Sequence, residues 1–422
     1  MDRHPDVLVV GAGPVGMVTA LSLAHRRRKV TLIDAGWRPA SHTYGVALHP
    51  ESLDLLDALG VLQPLLPRGQ RVDGLLLYES GEQRGWMALD RLPAAHAYAL
   101  AVPQAALEEE LVAALDRAGV KVLWNHRAAA IDGDLAPLVR VERLAKESAG
   151  YGHAASVWVV DNVIELRPRF VVGTDGHDSF VRKSLGIDFT TLGRRHRYLA
   201  LELTQPEGGA GNDLRVQLGA DSVDAVWPLA GGGYRCTLEI DLPDEAVESP
   251  RVKERARWVP TGAPREDIVA LAAERLPWLS LGRCAVGWSG VADFEQRLAQ
   301  RYGDGVVWLA GDAAHVALPL GVQSLNVGLR EAATLAGALD LVLAGAADRD
   351  ALADYEATFR AEWQTLLGRT PLAAADPWLR ANGGRLLPAL PASGRVLSQL
   401  LERLGAAAPE PDTAPTAGAL AR

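Results

Sequence analysis

The stretch DVLVVGAGPVG (residues 6–16) constrains this chain more than any other. Its first half, DVLVV, is apolar and rich in β-branched residues, which fits a strand buried on both faces of a parallel sheet. Its second half is GxGxxG. That pattern alone is weak, because glycine is common. Here it follows a buried run and opens a helical pattern over residues 15–24, which is the context that makes it specific. Gly11 permits the tight turn, Gly13 lets a pyrophosphate approach the backbone, and Gly16 lets the helix pack close to the strand. Pro14 and Val15 begin that helix, whose N-terminal N–H groups and dipole stabilise phosphate charge. A second buried run, VTLI (30–33), is closed by Asp34, whose carboxylate can accept hydrogen bonds from ribose hydroxyls and disfavours a 2′-phosphate. The unit predicts that the bound dinucleotide is FAD or NAD rather than NADP.

The chain has 422 residues, enough for two or three core-sized units. A net charge of −9 argues against nucleic acid or an anionic membrane surface as main partner. The basic run Arg26, Arg27, Arg28 and Lys29 fits a helix C-terminus, where cations are favoured. Cys236 and Cys284 form no CxxC pair, and the histidines show no metal-ligand spacing, so no metal is expected. No apolar run reaches the length of a membrane span. The N-terminus enters a strand at once, with no room for a signal peptide. A cytoplasmic location is the expectation.

Helical patterns occupy residues 50–59 and 105–118, each closed by a glycine. Between them, residues 71–101 alternate with period two, as do residues 190–293, where 213–218, 222–229 and 234–240 read as strands and 231–233 as a hairpin turn. The two stretches are read as one antiparallel sheet inserted into an α/β domain. The fold class is therefore α/β: a Rossmann-like dinucleotide domain (1–70, 102–189 and 294–345), an inserted β-sheet substrate domain (71–101 and 190–293), C-terminal helices (346–405), and a Pro-rich tail (406–422) read as disordered.

Two further motifs choose between FAD and NAD. Residues 170–186 read FVVGTDGHDSFVRKSLG, a buried strand followed by Asp175-Gly176. Residues 306–326 read VVWLAGDAAHVALPLGVQSLN, a strand followed by Gly311-Asp312 and a Pro-x-Gly loop. With VPQAALEEELVAALDRAGVKVLWNHR (102–127) between them, the sequence resembles the class A, 4-hydroxybenzoate hydroxylase-like FAD-dependent aromatic monooxygenases, to about residue 370. The resemblance implies FAD as cofactor, in the fold type named after glutathione reductase. It implies that Gln104 contacts FAD, that Asp175 supports the pyrophosphate region and has a link to the nicotinamide cofactor, and that Asp312 contacts the ribityl chain or pyrophosphate. It places Pro319, Gly321, Val322, Gln323, Ser324, Leu325 and Asn326 along the isoalloxazine ring, with Pro319 and Gly321 as flavin-face candidates. The glycine would allow close backbone approach. The helix N-terminus near Leu325 and Asn326 would stabilise negative charge on the reduced ring. Without the resemblance, Asp312 reads as a helix N-cap and His315 as a structural polar residue on that helix.

The sequence also departs from the family pattern Pro-Pro-x-Gly-Gly-x-Gly-x-Asn. Leu318 stands for the first proline, Val322 for the middle glycine and Ser324 for the last. Ser324 is either a tolerated hydroxyl donor or a block to a moving flavin. Tyr44 occupies a position where many relatives carry an arginine that contacts pyrophosphate and NAD(P)H. His42 and His49 flank that gap and read as core or loop residues.

The resemblance implies that NADPH or NADH reduces FAD, dioxygen adds to give a flavin C4a-hydroperoxide, and its distal oxygen passes to a phenolic or polycyclic aromatic substrate. Water must be kept from that intermediate. No catalytic side chain is identifiable. Trp227, Tyr234 and Arg235, beside one hairpin, are candidates for the substrate wall, and ordinary sheet packing is the competing reading. Other flavin redox enzymes of this fold, dehydrogenases or reductases, stay open. A halogenase would carry WxWxIP, whereas residues 157–160 read only VWVV. A flavin-binding protein without turnover is the reading from another class. The chain is expected as a monomer or homodimer.

Overall fold

The strand Val7–Val10 is buried at every position: parallel neighbours flank it on both sides, and the helix Pro14–His25 packs on it. In the computed structural model, which describes residues 3–37, 47–133, 135–149, 155–204, 211–240, 265–279, 284–369 and 376–406, it lies inside a six-stranded sheet. The order is Gly303–Asp304, Val307–Leu309, Phe170–Gly173, Val7–Val10, Val30–Asp34, Val122–Trp124. Only the Gly303–Asp304 edge is antiparallel. The three motifs therefore lie on neighbouring strands, and each glycine turn leaves the carboxyl end of its strand. That end is where open α/β sheets bind ligands.

The helix Pro14–His25 is buried along most of its length, not on one stripe. It is held between the helices Gln104–Arg117 and Gln323–Leu343. The helix Asp350–Leu366 then covers Gln323–Leu343 with Leu352, Tyr355, Phe359, Trp363 and Leu366, which recur at helical spacing. Two shorter helices, Pro377–Leu386 and Gly394–Ala406, complete the expected C-terminal set.

The second sheet has eight strands in the order His315–Val316, Ala285–Ala299, Phe189–Thr204, Gly233–Ile240, Val223–Leu229, Asp213–Leu218, Gly74–Glu79, Glu82–Ala88. The two alternating stretches of the sequence thus share one sheet, but they join through a parallel pair, Asp213–Leu218 with Gly74–Glu79. Ala99–Ala101 and Gln70–Val72 instead form a small sheet with Ala47–Leu48. Residues 265–275 form a helix where β-structure was expected. A three-stranded sheet of His126–Asp132, Leu138–Ala149 and Ala155–Leu166 was not legible in the sequence.

Period-two alternation divides the large sheet into two faces. Leu199, Leu201, Val226, Tyr234, Cys236 and Leu238 pack with Ile268 and Ala272 of the helix Arg265–Arg275. Tyr198, Ala200, Ala225 and Trp227 belong to the main core, the same cluster as Val7–Val10 and the helix Pro14–His25. No helix among the described residues is long and apolar enough to cross a membrane.

Candidate functional site

The three glycines of the first turn have three different surroundings. Gly11 has φ 103°, and a Cβ there would lie 2.4 Å from the Thr174 carbonyl oxygen. A Cβ on Gly16 would lie 1.9 Å from the Gly11 oxygen and 2.6 Å from Thr174 Oγ1. Gly13 faces open space, with nothing within 4 Å of a built Cβ. Two glycines are therefore fixed by the protein's own packing, and the third leaves a cradle. Gly13 is the N-cap of the helix Pro14–His25, no side chain caps it, and Pro14 has no N–H to satisfy. Beside it, Asp34 accepts from the Ala12 N–H (2.7 Å) and the Gly36 N–H (2.6 Å), one per carboxylate oxygen. Each oxygen retains capacity for another donor.

Asp175 is committed locally. Its carboxylate accepts from Ser179 Oγ and from the Val181 N–H, and burial pushes its pKa up. Ser179 in turn caps the helix Phe180–Ser184. Arg182, 4% exposed, donates to the Ala313 carbonyl (2.9 Å) and the His177 carbonyl (2.9 Å), so it fastens this motif to the Gly311–Ala313 turn. Gln104 opens its helix and donates to Glu108 (2.7 Å).

Asp312 lies in a short 3-10 turn, Gly311–Ala313. The alternative of a helix N-cap is corrected: His315–Val316 leaves the turn as a strand, because it pairs with Arg297 and Leu298. Val15 packs into the space left by two glycines, its Cγ2 lying 3.0 Å from a Cβ built on Gly311 and 2.9 Å from one built on Gly328. Behind the turn, the Gly311 N–H donates to Glu331 Oε2 (2.8 Å). His315 Nε2 reaches the same oxygen (2.8 Å), and Trp363 Nε1 donates to Oε1 (3.1 Å). Sequence reasoning missed Glu331 and Gly328. A signal existed for Glu331: it shares a helical stripe with Val327 and Leu335, where a carboxylate needs a reason.

The loop 317–326 is braced from every side. Ser324 Oγ accepts from the Ala317 N–H (2.9 Å), so its hydroxyl closes the loop. Val322 is the helix N-cap in the left-handed region (φ 58°, ψ 34°), a strained conformation for a β-branched residue. The Gly321 N–H donates to the Pro388 carbonyl (2.7 Å), and a Cβ on Gly321 would lie 2.7 Å from that oxygen. The backbone crowding Gly321 is thus the C-terminal segment. Gln323, 1% exposed, donates to the carbonyls of Leu390 (2.8 Å) and Ala392 (2.9 Å). His49 Nε2 donates to the Gly321 carbonyl (2.7 Å), and Trp227 Nε1 donates to the Leu320 carbonyl (2.9 Å). No side chain caps the helix Gln323–Leu343, so its N-terminal N–H groups are available to an anionic group.

Asn326, fully buried, accepts from the His49 N–H (2.7 Å) and donates to the carbonyls of Ala47 (3.0 Å) and Val322 (2.9 Å). An Asn326→Leu substitution should lower stability by on the order of 3 kcal/mol, since it strands buried polar partners. The urea midpoint measures this, and an unchanged midpoint would mean the bridge contributes nothing.

Of the substrate-wall candidates, Trp227 and Arg235 are cross-strand partners on the face turned to the loop. Arg235, 2% exposed, pairs with Glu202 (2.7 Å) and stacks over Trp288 (4.6 Å). Tyr234 points to the opposite face, under the Arg215 guanidinium. One residue of alternation separates the two outcomes. Pro319 sits in the loop, partly exposed. His42 and Tyr44 lie outside the described residues, as does the tail from 407 on.

Comparison with known proteins shows the family. The family model described as FAD binding domain matches residues 4–370. The chain is 28% identical over 421 residues to 12-dehydrotetracycline 5-monooxygenase/anhydrotetracycline 6-monooxygenase of Streptomyces rimosus subsp. rimosus, covering 94% of this chain and 76% of that protein. It is 31% identical over 386 residues to 6-methylpretetramide 4-monooxygenase of Streptomyces rimosus, covering 89% of this chain and 63% of that one. Among solved structures, p-nitrophenol 4-monooxygenase from Pseudomonas putida superposes with a TM-score of 0.70 at 22% identity, covering 96% of this chain and 98% of that chain. That likeness shows the fold. The chain belongs to the FAD binding domain family, and it is an FAD-dependent oxidoreductase of the monooxygenase kind.

Proposed function

We propose that this member of the FAD binding domain family hydroxylates an aromatic small molecule, phenolic or polycyclic, with NADPH or NADH as electron donor. The observation that carries the reading is the loop 317–326. It sets an uncapped helix N-terminus beside the sheet face that carries Trp227. FAD, when bound, supplies the redox chemistry: it accepts a hydride and activates dioxygen so that one oxygen atom passes to the ring.

The residues present fit that cofactor. The open cradle at Gly13 and the uncapped turn of Pro14, Val15 and Gly16 suit a diphosphate, Asp34 suits a ribose, and the Gly311-Asp312 turn suits the flavin half. Residues 323–325 open an uncapped helix whose N–H groups would stabilise negative charge on a reduced ring held against them. Ser324 holds the loop's shape by accepting from the Ala317 N–H. The segment 387–393 is buried throughout and tied to the loop by Gln323, so it keeps water from that side.

On the sheet, Gly290, Ala200, Thr237 and Ala225 form one cross-strand row of small side chains. The row containing Trp288, Arg235 and Trp227 flanks it on one side, and the row containing Tyr198 flanks it on the other.

The test is anaerobic mixing of the purified yellow protein with NADPH or NADH, with and without a panel of phenolic and polyketide aromatics. One ligand should accelerate bleaching of the flavin, and admission of air should then yield that ligand heavier by one oxygen atom. If no nucleotide bleaches a flavin that dithionite does reduce, direct NAD(P)H dependence is wrong.

A further inference from the structure

The carboxylate of Glu331 is fully buried and accepts from three separate elements: the Gly311-Asp312 turn, the strand of His315 and the helix of Trp363. His315 stacks on Trp363 with ring centroids 4.0 Å apart, so the acceptor and two of its donors form one packed unit. Burying a carboxylate is costly unless it is hydrogen-bonded, and here three donors serve it, two on Oε2 and one on Oε1. The third donor is a backbone N–H of the turn itself, at a glycine held in the left-handed region with φ 66°. Arg182 grips the other end of the same turn at the Ala313 carbonyl. The turn is therefore pinned at both ends, and Asp312 lies between the pins.

We propose that Glu331 is a positioning residue for the cofactor: by holding the Gly311 N–H, it sets the pose in which Asp312 meets the flavin half of FAD. This rests on the reading that the Gly311-Asp312 turn contacts FAD. The adenosine half is held elsewhere, at Gly13 and Asp34, so Glu331 acts on one half of the ligand only.

That asymmetry gives the test. Glu331→Gln keeps the shape but offers a single acceptor oxygen to donors that now use two, so the Gly311 N–H or the Trp363 N–H faces an amide NH2. Deflavinated full-length protein is titrated with FAD and, separately, with ADP. E331Q should weaken FAD by about tenfold or more and leave ADP within about twofold. Glu331→Asp, which keeps the charge but withdraws the carboxylate by one methylene, should show the same split and serves if E331Q folds poorly. Equal losses for FAD and ADP in both variants would mean a merely structural role and would overturn the proposal, as would unchanged FAD affinity. Asp312→Ala is the reference. If it weakens FAD while E331Q does not, Glu331 is not the positioning group. If Asp312→Ala also leaves FAD binding intact, the reading of the turn itself is wrong.

Discussion

Gly16→Ala should yield no folded, flavin-carrying protein, whereas Gly13→Ala should fold as well as the parent and lose only cofactor affinity. The two substitutions add the same methyl group three residues apart, and the structure gives them opposite surroundings. At Gly16 the methyl would sit 1.9 Å from the Gly11 oxygen and 2.6 Å from Thr174 Oγ1. These atoms cannot swing aside, because Thr174 Oγ1 is within hydrogen-bond distance of the carbonyls of Val10 (3.0 Å) and Gly11 (2.8 Å). The helix Pro14–His25 would have to leave the strand it covers. Overpacking of mobile side chains costs about 1–3 kcal/mol, and displacing two backbone turns costs more, against a total stability of about 5–15 kcal/mol. At Gly13 the methyl meets nothing within 4 Å. It would occupy the space through which a diphosphate reaches the helix N-terminus. Thermal melting of the apoproteins followed by FAD titration separates the two effects. A G16A protein that binds FAD normally, or a G13A apoprotein that melts far below the parent, would contradict this account of the turn.

Acid should loosen the loop 317–326 through His49. This imidazole is 1% exposed, and desolvation by burial, with a smaller contribution from the Arg330 charge, lowers its pKa from 6.5 to about 3, against the raising effect of its bond to Gly321. Nε2 carries the proton donated to the Gly321 carbonyl, while Nδ1 is buried without a hydrogen-bond partner. The folded state therefore holds His49 neutral, and the unfolded state takes up a proton below pH 6.5. Between 6.5 and 3 the unfolded chain binds more protons, so stability falls as pH falls. The slope reaches about 1.4 kcal/mol per pH unit, and the whole window is worth about 4–5 kcal/mol. The charges that face this region are Arg330 and, through their ion pairs with it, Glu51 and Glu362. His49→Gln keeps a donor for the Gly321 carbonyl and removes the titration. Urea unfolding from pH 7 to pH 4 should show a steep loss in the parent and a shallower one in H49Q. Parallel curves would place the acid sensitivity elsewhere.

The dinucleotide half was legible because its signals are local. A buried strand, a glycine turn and a helix start occupy contiguous residues, and the turn geometry that needs glycine acts over a few bonds. The same holds for the strands 170–173 and 307–309 and for the C-terminal helices. The inserted sheet was legible in outline, since alternation survives in each strand. Its parallel junction and its helix at 265–275 were not, because strand pairing depends on partners far away in the chain. The resemblance located the loop 317–326 but not what crowds it. Gly321 was expected to admit a cofactor, and in the folded chain what approaches it is the backbone of residues 388–390.

The sequence by itself pointed to a dinucleotide-type turn and to the strands that carry the three motifs, and its resemblance to a known family chose FAD over NAD. Only the tertiary structure decided that Trp227 and Arg235 face the loop while Tyr234 faces away, and that Ser324 closes the loop. Only there do Glu331, His315 and Trp363 converge behind Gly311. The physical reason is distance along the chain. Backbone conformation and phosphate-binding turns are set by neighbours a few residues apart. The satisfaction of the Glu331 carboxylate is set by donors 16 to 32 residues away on three separate elements, and the side of the sheet that meets the loop by a contact 93 residues apart in the chain; both exist only when the core has formed.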